Sequence, residues 1–233
     1  MMINYKSVAR IAALATLLAA PLAAQAGTAD QGTFRVLVGG REVGTEQFNI
    51  AQTGSGNGAV LLATGRVSLR LPTGSLELTP RLRATGVGAD PVHYEVDVGG
   101  DSPQRIAGNI GGGRVSAKIV TASGEQLREY VASSGALVLD EGVAHHYYFL
   151  AQRLHNGRVP VIIPRENRQV IATVSSRGEE SVQVGGASAR LFHLVVQPQG
   201  GEEHHVWVDS LNRIIRVQVP SRQYEAIRTE LPR

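Results

Sequence analysis

Over most of this chain the apolar positions recur with a period of two, which predicts strands. The pattern is plainest over residues 189–219. Phe192, Leu194 and Val196 alternate with Leu191, His193 and Val195. Val206 and Val208 alternate with His205, Trp207 and Asp209. Ile215, Val217 and Val219 alternate with Ile214, Arg216 and Gln218. Residues 198–201 and 209–212, rich in Pro, Gly, Asn and Asp, punctuate a three-strand meander. Side chains two apart share a face of a strand. A two-residue turn at Leu211 and Asn212 then pairs Val208 with Ile215 and Val206 with Val217, which gathers one apolar row per strand on one side.

The same period runs through the earlier chain. Residues 33–38 and 42–50 flank Gly39 and Gly40 and predict a hairpin. Residues 27–32 read as a loose polar lead. Strands are predicted over 59–69, 76–83 and 91–98, with Pro80 marking a bulge or an edge position. Three shorter ones follow over 104–110, 114–120 and 125–132. Strands over 159–163, 169–174 and 181–184 precede the meander, and residues 224–228 form a last strand or a short helix. Residues 140–154 depart from the pattern. There Val143, Tyr147, Leu150, Ala151 and Leu154 fall at helical spacing in one apolar stripe. Asp140 is placed to cap that helix, and Asn156-Gly157 to end it. The expected fold class is mainly β: a curved antiparallel sheet or half-open β-barrel with one amphipathic helix packed on or in it. No linker divides the chain, so residues 27–233 read as a single β-rich domain.

Composition adds a compartment. Lys6 and Arg10 precede an apolar run over residues 11–20, and Ala24-Gln25-Ala26 is a small-x-small cleavage site. Residues 1–26 therefore read as a secretory signal peptide, and the apolar run is too short to span a bilayer. No later run is long enough to span either, so the expected product is soluble and periplasmic. The chain has no cysteine, which excludes a disulfide framework, thiolate metal sites and a lipid anchor on Cys. The net charge of +3, less the two charges of Lys6 and Arg10, leaves +1. The remaining basic residues, all Arg except Lys118, are scattered rather than striped, which argues against nucleic acid as a partner.

Catalytic motifs are sparse. There is no Gly-x-Ser-x-Gly elbow, no Ser-x-x-Lys and no His-Glu-x-x-His. Gly111-Gly112-Gly113 lacks the Lys that ends a phosphate loop and reads as a hairpin tip. His145-His146 and His204-His205 are adjacent pairs, and neighbours diverge on both strands and helices. We read them as hydrogen-bonded or solvated side chains rather than metal ligands. No enzyme activity, cofactor or metal is expected. Tyr147, Leu150, Leu154 and Trp207 are the candidates to line an apolar cavity.

The closing pattern Val206-Trp207-Val208-Asp209, followed by Asn212-Arg213-Ile214-Ile215-Arg216-Val217, resembles the end of several exported bacterial families of unknown function. The opening hairpin with Val43-Gly44-Thr45-Glu46 looks like theirs too. Those families are similar in build to periplasmic lipoprotein carriers of the LolA/LolB type, an unclosed barrel around helices and an apolar cavity. The resemblance implies a non-enzymatic periplasmic protein that binds an apolar or lipid-like ligand, or a lipoprotein, in the concavity of the sheet. The alternative is an envelope protein–protein interaction module that uses the sheet surface or an exposed edge. A hydrolase or metal enzyme built on the histidines stands third.

Overall fold

The computed structural model describes residues 27–232; the expected signal peptide lies outside the described residues. The alternating runs form two meanders. The first is β1 (Gly27–Val38), β2 (Arg41–Thr53), β3 (Val60–Leu71), β4 (Gly74–Thr85), β5 (Asp90–Gly100), β6 (Gln104–Gly111), β7 (Arg114–Thr121) and β8 (Gly124–Val131). The two-residue β9 (Leu137–Val138) follows. The second meander is β10 (Gly157–Ile163), β11 (Arg168–Val184), β12 (Ala187–Pro198), β13 (His204–Val208), β14 (Ile214–Val219) and β15 (Tyr224–Arg228). β15 pairs with β1, Phe34 opposite Arg228, and this join makes one 15-stranded sheet running from β8 to β9. Every pairing is antiparallel except β9 with β10. The polar lead expected at residues 27–32 is the start of β1, paired with β2.

The open sheet curves around the chain between its two meanders, residues 132–156. A 3-10 turn, Ala144–His146, runs into α1 (Tyr147–Ala151), and all eight of these residues are buried. The stripe residues Val143, Tyr147, Leu150 and Ala151 are buried as expected, but the helical part is shorter than residues 140–154 and its burial extends beyond the stripe. Tyr148 and Phe149 lie off the stripe yet are buried with Tyr147 and Leu150, because a helix enclosed by a sheet meets core on every side. Asp140 does not cap it, since no side chain caps either helical piece. Inward rows from both meanders, including Phe34, Phe48, Leu82, Val206 and Val217, pack on this segment as one core.

The closing meander shows one register change. Val206 pairs with Val217 as expected, but Val208 pairs with Ile214, because a bulge falls between Trp207 and Val208. Ile215 is thereby sent to the outer face beside Trp207. The two strands expected over 169–174 and 181–184 are one strand, β11, bulged between Ser176 and Gly178. Beyond the bulge the β11–β12 hairpin outruns β13, and its Val182, Val184 and Leu191 pack with Trp207, Ile215 and Ile227 as a second, smaller core.

Candidate functional site

The inner segment is fastened to the sheet by polar groups. Glu46 of β2 sits in phase with Phe48 and Ile50 and is wholly buried. One carboxylate oxygen accepts the Ala144 N–H at 2.7 Å; the other accepts the His145 N–H at 2.9 Å and lies 2.6 Å from His145 Nδ1. The His145 ring stacks on Phe48, centroids 5.4 Å apart. It fits only because residue 65 has no side chain: a Cβ on Gly65 would stand 2.6 Å from His145 Cε1. The β3–β4 ladder is interrupted at this point, between Thr64–Arg81 and Val67–Leu78, which is how an interior strand accommodates Pro80.

A second knot lies beside it. Asp140 accepts the Tyr94 hydroxyl at 2.5 Å and Arg165 Nε at 2.9 Å, while its own N–H donates to His146 Nδ1 at 3.2 Å. Burial pushes the Asp140 carboxyl up against the pull of Arg165. Burial also pushes the Tyr94 hydroxyl well above its ordinary value and the His146 imidazole well below. Nε2 of His145 and of His146 have no hydrogen-bond partner. The Tyr147 hydroxyl meets His204 Nδ1. These dyads resemble acid–base pairs in composition; His145, His146 and Glu46 are fully enclosed, whereas His204 is half-buried.

The four expected cavity residues do not line one space. Tyr147 and Leu150 are core, and Leu154 is half-buried against it. Trp207 belongs to the other face and packs in the second, smaller core; the strand alternation that faces Val206 and Val208 inward turns it outward. Between β5–β8 and the Ile162–Pro164 stretch at the end of β10 there is a space of about 10 Å³, lined by Tyr94, Ile106, Tyr130 and Ile162 among others. That is room for a single water at most.

What the sheet leaves open is its β8 edge. β8 pairs in the ladder with β7 alone, with eight residues in unbroken register, and β11 comes near it, Gln169 bonding Ser133 just past the end of β8. The turn at Ala122 and Ser123 brackets the Thr121–Gly124 pair, and Ala132 donates to Gly113 at the other end. Even-numbered residues of β8 therefore bond to β7, and the N–H and C=O groups of Glu125, Leu127, Glu129 and Val131 point to the free side. Leu127 is 81% and Val131 62% exposed; they are two of the five exposed large apolar residues among the described residues.

No family model matches the chain, and no curated protein matches it. Among solved structures it is similar to a β-barrel-like protein of the domain-of-unknown-function family DUF1849 from Brucella abortus. The two share 10% identity over 84% of this chain and 93% of that one, with a TM-score of 0.47.

Two further places carry polar chemistry. On the outer face His193 lies 2.7 Å from Glu180 and 2.8 Å from His205, and Trp207 donates to Glu180 at 2.9 Å. The bond from Trp207, then that from His193, holds the Glu180 carboxyl below its usual value. Trp207 also packs against the His193 ring at 4.4 Å and the Arg216 guanidinium at 4.8 Å, so this cluster ties the overhanging hairpin to the sheet. At one mouth of the concavity, Arg228 bonds Asp30, Gln31 and Ile214 and covers the rings of Phe34 and Phe48. A groove of about 600 Å³ passes it, walled largely by polar residues such as Thr28, Gln31, Thr33 and Gln47. Among the described residues no three His, Asp or Glu side chains are arranged to hold a metal ion. Sequence reading missed Glu46, Asp30 and Arg228. Their signal was parity: each stands in phase with inward apolar neighbours of its strand, Phe48 and Ile50, Phe34 and Val36, and Ala226 respectively.

Proposed function

We propose that this chain is a non-enzymatic, exported protein of the cell envelope that works by binding another protein on the outside of its sheet. The observation carrying this reading is that the concavity is filled by the chain's own residues 132–156. Binding a lipid-like ligand there, as in the lipoprotein carriers, requires that segment to leave. Exposing Leu137, Val138, Phe149 and Leu150 alone costs on the order of 10 kcal/mol at about 1.5–3 kcal/mol each. That is comparable to the whole stability of a domain, about 5–15 kcal/mol. The groove at the mouth is open, but its polar walls suit a lipid tail poorly. Recognition on the surface needs no such rearrangement.

Two measurements test this. Native mass spectrometry of protein recovered from the periplasm should give the bare mature mass; a co-purifying lipid would restore the carrier reading. Photo-crosslinkers placed in living cells at Leu62, Val87, Leu127 and Leu211, all exposed, should yield one saturable product with an envelope protein. Absence of a product from every position would count against protein binding.

A further inference from the structure

We propose that the free edge of β8 is a strand-docking site for a different protein, whose strand carries basic residues opposite Glu125 and Glu129 and an acidic residue opposite Arg128. This rests on the protein-binding reading above and names its surface and partner chemistry.

Exposed edges are usually blunted by brevity, proline, bulges or charge. β8 has eight residues, no proline and no bulge; charge is the one such device it carries, in Glu125, Arg128 and Glu129. Its ladder groups at residues 125, 127, 129 and 131 point outward, and so does the apolar surface of Leu127 and Val131. A strand adding here gains main-chain bonds from the ladder and side-chain contact with that apolar pair. The charges restrict who can add. A second copy across a two-fold axis has two registers that use seven residues. Centred on Leu127, the register sets Glu125 opposite Glu129; centred on Arg128, it sets Arg128 opposite itself. Like charges directly opposite are destabilising. The same three charges reward a strand of complementary order. Lys118 and Arg114 of β7 already flank Glu125 and Glu129 at 2.8 and 3.0 Å, so the row is oriented before a partner arrives. At the other end of the sheet β9 has two residues, both buried, and offers no comparable edge.

The probe is the peptide Val-Thr-Lys-Glu-Ile-Thr-Lys, complementary to residues 131 back to 125. Its control is the charge-inverted Val-Thr-Glu-Lys-Ile-Thr-Glu. Amide NMR of the mature chain should show the matched peptide shifting and protecting the N–H groups of residues 125, 127, 129 and 131. The inverted peptide should bind at least about tenfold more weakly. Leu127→Pro should abolish binding with little change in melting temperature, because that N–H is not in the β7 ladder. Should that variant fail to fold, the triple variant Glu125→Lys, Arg128→Glu, Glu129→Lys should reverse the peptide preference. Equal binding of both peptides, no response up to several millimolar, or dimerisation through β8 would overturn the inference. A cellular crosslink confined to Leu62, Val87 or Leu211 would also overturn it while leaving the protein-binding reading intact.

Discussion

Gly65 and His146 carry the sharpest expectations at the scale of single residues. Gly65 leaves the space that the His145 ring fills, and Glu46 holds that ring in place. Gly65→Ala should therefore overpack the core and cost about 1–3 kcal/mol in urea unfolding. A neutral result would mean that the ring is free to move. His146 titrates below its ordinary value of 6.5 because it is buried beside His145 and Arg165. Tyr94 and Asp140 also face it, and its Nδ1 already accepts a proton donor. The unfolded chain then binds the extra proton first. Stability from this group is complete above pH 6.5 and falls as pH drops below it, by up to about 1.4 kcal/mol per pH unit. His204, lowered chiefly by burial, adds the same sign. Asp140, raised by burial, works in the opposite sense between 3.8 and its raised value. Unfolding free energies at pH 7.5 and 5.5 should show the fall, and His146→Gln should make it shallower. An unchanged slope would remove His146 from this role.

Among the elements, α1 is too short to persist alone, so packing must hold it. Leu150 is fully buried in it, and Leu150→Ala should cost about 2–5 kcal/mol. Gln152 is exposed, its side chain bonds the Leu211 carbonyl, and changing it to Ala should cost no more than about 0.5 kcal/mol. Equal stability of the two variants would contradict the enclosed helix. The helix was legible as periodicity, because Tyr147, Leu150 and Ala151 repeat as a helix must. Its full burial was not, because period 3.6 marks one apolar face and cannot say whether core meets the others. The turn after Asp209 shows the same limit. Residue spacing gave a regular two-residue hairpin, while the bulge at Trp207 moved Ile215 to the outer face.

Taken whole, the molecule is two meanders joined by the β1–β15 pairing and sharing one inner segment. Because neither half can keep its inward row covered without residues 132–156, both should unfold together. The single tryptophan, Trp207, sits in the second meander and reports on it alone. Its fluorescence and the far-ultraviolet circular dichroism of all fifteen strands should trace coincident denaturant transitions. Separate midpoints would show that the halves fold independently.

The sequence alone determined most of the strands, the fold class and the absence of cysteine chemistry. Alternation is local: Phe192, Leu194 and Val196 need no knowledge of distant chain to read as one face. Only the tertiary structure decided that β15 closes on β1, that the chain fills its own concavity, and that Trp207 lies apart from Tyr147 and Leu150. It also decided which charges are buried. Glu46 and His145 are 99 residues apart and each is unremarkable where it stands. A carboxylate on an inward position is tolerated only if donors await it there, and those donors arrive with the fold, because pairing between distant residues is a property of the closed sheet rather than of either strand.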